Sequence, residues 1–207
     1  VGHAYFRLQR PSAQRYEFEA FTIPAGTMAV EDESHEILEV SQGSLLGGMA
    51  TPELYYYSLR KGESTEILEL LFDWNAGLLK QRAGDAEQTT VLEARSQDRL
   101  SYLLTLMGWA PTADNDLSFP LIEPTGSSLV GLSRQTTETL DLAVGSLATV
   151  RVDRAGPDGQ IERRIWLAPA LHYLPVRIER TTGGGTASMH LQRHRVAVDG
   201  QTAPALD

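Results

Sequence analysis

Gln160-Ile161-Glu162-Arg163-Arg164-Ile165-Trp166-Leu167 sets Ile161, Arg163, Ile165 and Leu167 on one face of an extended chain, with Glu162, Arg164 and Trp166 on the other. A two-residue alternation of this kind identifies a strand. Further on, Leu174, Val176 and Ile178 alternate with Pro175, Arg177 and Glu179. The link between, Ala168-Pro169-Ala170-Leu171-His172-Tyr173, is too short for a crossover helix, so the two strands predict an antiparallel hairpin. In that register Ile161, Ile165 and Leu167 bury together with Leu174, Val176 and Ile178. Pro175 lacks an N–H and belongs at an edge or bulge, and Trp166 packs on the opposite face beside Arg164.

The same alternation runs outward through the chain. Residues 16–23, 34–40, 54–60, 64–74, 137–142, 147–153 and 187–198 read as extended. Turn chemistry separates several of them: Asn75-Ala76-Gly77, Gly156-Pro157-Asp158-Gly159 and Gly183-Gly184-Gly185 each supply a preset proline angle or freedom at positive φ. Short links between strands predict antiparallel neighbours. One segment departs from this pattern. Leu100, Leu103, Leu104 and Met107 recur at helical spacing, which predicts a helix over residues 97–107. Ser96 is placed to cap it, Asp98 lies in the first turn where the helix dipole favours an anion, and Gly108 can end it. Residues 109–125, with three prolines, read as a loop containing a short strand at 117–122. The fold expected is mainly β: a strongly curved antiparallel sheet, half-barrel or open barrel, with one short α-helix packed on it. Residues 1–207 are expected to form one domain, with 199–207 a frayed tail.

Composition narrows the function classes. Residues 1–100 hold 9 Lys/Arg against 16 Asp/Glu, and residues 101–207 hold 9 against 11, so the acidic excess lies in the first half. A net charge of −9 repels phosphate backbones and argues against nucleic acid as a partner. No apolar run approaches the roughly 20 residues of a membrane-spanning helix. Without cysteine there is neither a disulfide framework nor a thiolate metal site. The chain enters a strand-like run at residues 3–8 almost at once, the start expected where a targeting segment has been removed or trimmed.

Candidate chemistry is sparse. His190 and His194 lie four apart in an expected strand, on one face but roughly 13 Å apart, too far to share a metal. Glu31-Asp32-Glu33 lacks the glycine and later bidentate glutamate of a calcium loop. No nucleophile elbow, phosphate loop or zinc-binding helix motif is present. No catalytic residue, cofactor or metal is therefore assigned. The arginines Arg151, Arg154, Arg163, Arg164, Arg177, Arg180, Arg193 and Arg195 recur on neighbouring expected strands, and cross-strand ion pairing with Asp153, Glu162 and Glu179 explains them better than an anion site does. Asp73 and Trp74 close a strongly apolar run and Asp98 opens the helix. Both carboxylates read first as caps. Asp73, Trp74, Asp98 and Trp166 form the candidate binding set.

The order of certain strings resembles a known family. Phe72-Asp73-Trp74, Gln97-Asp98-Arg99-Leu100-Ser101, Ile165-Trp166-Leu167-Ala168-Pro169 and Leu174-Pro175-Val176-Arg177 follow one another as in the bacterial domain of unknown function 3108 family, over residues 15–195. The resemblance implies exported proteins, periplasmic or otherwise in the cell envelope, with a mainly antiparallel sheet and a helix. It implies no activity and no site residues. The reading that follows is a non-enzymatic envelope protein that holds a hydrophobic ligand or a partner segment on the concave sheet face. Its rivals are an enzyme acting on envelope polymers through Asp73 or Asp98, and an interaction module whose acidic half docks a basic partner.

Overall fold

A computed structural model of the chain describes residues 3–23, 35–112, 114–124, 126–156, 159–182, 185–195, 197–198 and 201–202. Glu31-Asp32-Glu33, the first two glycines of the 183–185 tip and, apart from 201–202, the tail at 199–207 lie outside the described residues. The chain divides into two compact units, Val1–Trp109 with Ser118–Val130, and Ala110–Leu117 with Gly131–Asp207.

The fold is mainly antiparallel β with a single α-helix among the described residues, and its strands divide between two large sheets. In the first, β1 (His3–Ser12), β2 (Arg15–Ile23), β3 (His35–Leu46), β4 (Met49–Lys61), β5 (Ser64–Asp73), β6 (Leu78–Ala83) and β7 (Ala86–Val91) lie side by side in chain order. Helix α1 (Ser101–Trp109) follows. The second sheet takes β8 (Asp116–Glu123), β9 (Gly126–Leu142), β10 (Gly145–Ala155), β11 (Ile161–Ala168), β12 (Leu174–Thr182) and β13 (Gly185–His190) in the order β13-β12-β11-β10-β9-β8. A short pair, β14 (Ala197–Val198) and β15 (Gln201–Thr202), forms a separate two-stranded sheet. Both large sheets are open: β1 and β7 are the edges of the first, β13 and β8 of the second.

One face of the first sheet is the core of its unit. Tyr16, Phe18 and Ala20 of β2, Tyr55 of β4, Leu68, Leu70 and Phe72 of β5 and Leu79 of β6 are buried on it. Tyr102, Leu103, Leu104 and Leu106 of α1 are buried too, and α1 packs on β4. The helix begins four residues later than a cap at Ser96 would allow and runs past Met107, because Asp98 rather than Ser96 holds its start. Ser96 instead donates its hydroxyl to the Glu93 carbonyl. Gly108 does not end the helix. It lies inside it, where a Cβ would collide with the carbonyl of Gly48 in the β3–β4 turn. Small size, not freedom at positive φ, is what the position demands.

In the second unit β11 and β12 form the expected hairpin, joined by a 3-10 turn at Pro169–Leu171. Its register carries a correction. Trp166 pairs with Arg177 but Leu167 pairs with Pro175, so Val176 is the extra residue of a bulge. A one-residue slip moves every later side chain to the other face. Ile178 stays opposite Ile165, whereas Leu174 faces Ala168 and Val176 joins Trp166 and Ala168 in a cluster with Leu140, Leu147 and Leu171. Pro175 sits beside the bulge, as a residue without an N–H should. Two further corrections concern strand extent. β6 and β7 had no expected counterpart, since the six residues of β7 are all exposed and show no alternation. β13 ends at His190, so His194 lies beyond it, and His190 pairs with Ser188 at 2.9 Å.

The α1–β4 contact yields a prediction. Gly108→Ala forces backbone apart at the helix crossing and should lower stability by about 1–3 kcal/mol, the usual cost of overpacking. Leu104→Ala should cost about 2–5 kcal/mol by leaving a cavity. Urea unfolding of the two variants against the parent measures both, and a Gly108→Ala protein as stable as the parent would contradict the close approach.

Candidate functional site

β3 inverts the ordinary burial pattern. Its sequence, His-Glu-Ile-Leu-Glu-Val-Ser-Gln-Gly, invites a core face built on Leu38 and Val40. Instead Leu38 is 37 % exposed while Glu39 and Ser41 are buried. The pairing explains which way the strand faces. Glu39 stands between Ala20 and Tyr57, Ser41 between Phe18 and Tyr55, and Gly43 between Tyr16 and Pro52, all in register with the core residues of β2 and β4. A side chain at Gly43 would collide with the Thr51 carbonyl, so the strand approaches β4 closely here. Two polar side chains therefore enter an apolar face, and burial of such groups is costly unless each finds partners.

Ser41 finds Asp98. Its hydroxyl donates to Asp98 Oδ2 at 2.6 Å and accepts from the Tyr16 hydroxyl at 3.0 Å. Asp98 Oδ1 accepts the backbone N–H groups of Leu100 and Ser101, each at 2.8 Å, and the Asp98 N–H donates in return to Ser101 Oγ at 2.8 Å. This is a reciprocal capping box with Asp98 as N-cap, and it satisfies donors that a helix start otherwise leaves unpaired. Asp98 has no accessible surface. Burial pushes its carboxyl up to about 6, against the pull of the Ser41 hydroxyl and the Ser101 and Leu100 amides. Burial, followed by the charge of Asp98, pushes the Tyr16 phenol far up as well.

The preceding residue is fixed as firmly. The Gln97 amide donates to the Ala50 carbonyl at 2.9 Å and accepts from Thr105 Oγ1 at 3.1 Å, and Thr105 Oγ1 accepts the Ala50 N–H at 3.1 Å. Its backbone bonds to Pro120 and Ile122, forming a parallel bridge to Leu121. Residues 97–98 thus link β3, β4, β8 and α1.

Arg99 serves a second buried group. Its Nε lies 3.3 Å from Glu39 Oε1, which also accepts the Tyr55 hydroxyl at 2.5 Å, and its guanidinium lies 5.7 Å from the Tyr57 ring centre. Burial is the largest single influence and opposes the charge on Arg99, but Glu39, Tyr55, Glu123 and Tyr57 together outweigh it and hold the guanidinium's pKa above the ordinary arginine value. Burial, then Glu39, drives the Tyr55 phenol up. Glu39 is therefore an ion-paired carboxylate, whereas Asp98 is a carboxylate held by neutral donors alone.

The candidate residues read from the sequence fall in different places. Asp98 lies at the centre of this network. Asp73 is exposed and closes the turn after β5 by accepting the Ala76 N–H at 2.9 Å, and Trp74 donates to the Pro52 carbonyl at 2.6 Å while stacking on Phe72. Trp166 belongs to the second unit, where its indole N–H donates to Glu138 at 2.7 Å and Arg177 covers its ring at 4.7 Å. Three of the arginines pair across strands, Arg151 with Glu138, Arg154 with Glu162 and Arg164 with Glu179, while Arg151–Asp153 and Arg177–Glu179 pair along one strand. Tyr16, Glu39, Ser41, Tyr55, Gln97 and Thr105 were not singled out from the sequence. Among the described residues no group of three or more acidic or histidine side chains is placed to hold a metal ion.

A family model described as "Protein of unknown function (DUF3108)" matches residues 1–192. No curated protein matches the chain. Among solved structures, the crystal structure of a "Beta-barrel-like Protein of Domain of Unknown Function DUF1849 from Brucella abortus" superposes with a TM-score of 0.61 at 9 % identity, covering 89 % of this chain and 83 % of that one. At that identity the likeness concerns the fold alone.

Asp98 sets a pH dependence. Its folded carboxyl titrates near 6 against an ordinary 3.8, so between those values the folded chain keeps a proton that the unfolded chain has lost. Stability from this group is complete at pH values below the ordinary carboxyl range and falls as pH rises to about 6, by on the order of 2–3 kcal/mol. Asp98→Asn keeps an acceptor for both amides and cannot ionise. Denaturant unfolding from pH 4 to pH 7 should show Asp98→Asn gaining on the parent as pH rises. A constant difference across that range would contradict the assignment.

Proposed function

This chain belongs to the family of proteins of unknown function DUF3108, and on that premise we propose that it is a non-catalytic protein of the bacterial cell envelope that binds an apolar ligand or partner segment on the core face of its seven-stranded sheet. The observation that carries this reading is where that face ends. Phe6 and Leu8 of β1 stand opposite Ala20 and Phe18, so they continue the core face outward, and Phe6 packs on Phe18 with ring centres 6.0 Å apart. Yet Phe6 is 45 % and Leu8 41 % exposed. An apolar face that runs from a packed core into solvent leaves its margin free for a guest.

The carboxylates support a binding role over a catalytic one. A general acid or base must reach the proton it transfers. Asp98 is sealed from solvent with both oxygens occupied, Glu39 is occupied by Tyr55 and Arg99, and Asp73 closes a turn. The envelope location rests on what the family resemblance implies. Among the described residues no helix is long and apolar enough to cross a membrane.

The reading predicts that a fluorescent long-chain fatty acid binds the purified chain and that Phe6→Ser with Leu8→Ser weakens this at least about tenfold, since two half-exposed apolar side chains are worth about 1–3 kcal/mol in contact with a guest. Both positions are half-exposed, so the melting temperature should change little. Binding unaltered in the double variant would overturn the site. Fractionation of cells expressing the full-length gene product tests the compartment.

A further inference from the structure

We infer that β1 is a docking edge for an extended, acidic segment of a partner protein, which adds to the first sheet as an eighth strand. The inference deepens the proposed binding role and rests on it in taking the β1 margin as the open part of the apolar face.

β1 pairs with β2 on one side and is the edge of the sheet on the other. An edge strand presents a row of backbone N–H and C=O groups that can bond another strand, and proteins ordinarily blunt such edges with short strands, prolines or bulges. The other edges follow that rule. β7 and β13 are six residues long with every residue exposed, and β8 contains Pro120. β1 is blunted only by its arginines and at its far end: it has ten residues, pairs without interruption over residues 3–9, and reaches its bulge and Pro11 only after Gln9. Along that stretch Tyr5 is 63 % exposed on one face while Phe6 and Leu8 are half-exposed on the other. Long and regular, with Phe6 and Leu8 on one face and Tyr5 and Arg7 on the other, it has the character of an edge built for strand addition.

Charge selects the occupant. β1 carries Arg7 and Arg10 and no carboxylate. A second copy pairing through its own β1 would set Arg7 and Arg10 against a strand that carries arginines and no carboxylate of its own, so the ladder would gain no new ion pair. A strand with a carboxylate opposite Arg7 instead extends the existing Arg7–Glu19 ion pair into an alternating row. Residues flanking that carboxylate then lie opposite Phe6 and Leu8 and should be apolar. The motif that fits is apolar-acidic-apolar in an extended chain.

The test uses two capped, amidated heptapeptides, one alternating valine with glutamate and one alternating valine with lysine, titrated against the purified chain with amide hydrogen exchange as the readout. The valine–glutamate peptide should slow exchange at residues 3–9 and the valine–lysine peptide should not. Arg7→Glu, at an exposed position, should reverse this preference by about tenfold, since exchanging an attractive for a repulsive cross-strand pair changes affinity by that order. Equal binding of the two peptides, protection at β7 instead of β1, or self-association that protects β1 without peptide would each overturn the inference. Fatty-acid binding that is lost on Phe6→Ser with Leu8→Ser, together with no peptide protection, would refute strand addition and leave the apolar site standing.

Discussion

The carboxylate of Asp98 joins the start of the helix to the middle of the sheet, and most of the first unit's order follows from that joint. An ionised carboxylate without water costs several kcal/mol, and a nearby cation is the usual remedy. Here the remedy is three neutral donors: one hydroxyl from β3 and two amides from the first turn of α1. Two of the three donor residues are themselves committed elsewhere. Ser41 is tied to Tyr16, and Ser101 answers the Asp98 amide. To move α1 along the sheet would strip the carboxylate of its donors, and to slip β3 by one residue would turn Ser41 to the outer face. Helix position and strand register are therefore fixed by the same group. Hydrophobic contact alone is non-directional and would not supply that registration. Gln97 reinforces it through Ala50 and Thr105, and the Gly48–Gly108 approach sets how near the helix can come.

This accounts for what the sequence did and did not reveal. Hairpins were legible because a period of two and short turn-rich links are local properties, as in β11 and β12. The helix was legible in its apolar spacing but not in its limits. Ser96 and Asp98 are both good caps, and only the partners across the fold decide between them. β3 was legible as a strand but misleading as to its face. Its inward residues are Glu39 and Ser41, and their burial depends on Arg99, Tyr55 and Asp98, which lie 16 to 60 residues away in sequence. The string Gln97-Asp98-Arg99 did carry a trace of this. Three consecutive polar residues directly before an apolar helix are more than one cap requires. Conflict between local pattern and final burial is expected where a structure keeps something other than maximal stability.

The second unit shows the same limit in a different form. Its hairpin could be read, yet its register turned on a single residue, Val176. Pro175 signalled a bulge but not on which side of it the extra residue would fall. The outcome places Trp166, Ala168 and Val176 together, and Trp166 is then fixed from its edge by Glu138 and from above by Arg177. Arg177 in turn is held by Glu179. An aromatic ring held this way is a structural member of its unit, so its burial follows from the bulge and needs no ligand.

What distinguishes β1 is that none of these devices reaches it. β2 to β5 are held by the helix, the Asp98 joint and the Glu39–Arg99 pair, all of which act on the core face between β2 and β5. β1 is held by its ladder to β2, the Arg7–Glu19 pair and the Phe6–Phe18 contact. A one-sided ladder with half-exposed apolar residues buries little area per residue, so its local opening free energy should lie well below that of β3 and β4. A strand in that condition gains more from an added neighbour than any other in the sheet, because a new ladder and the cover over Phe6 and Leu8 both act on groups that are otherwise hydrated. The rigid joint at Asp98 and the open margin at β1 are thus complementary: the first keeps the sheet's register when the second is engaged.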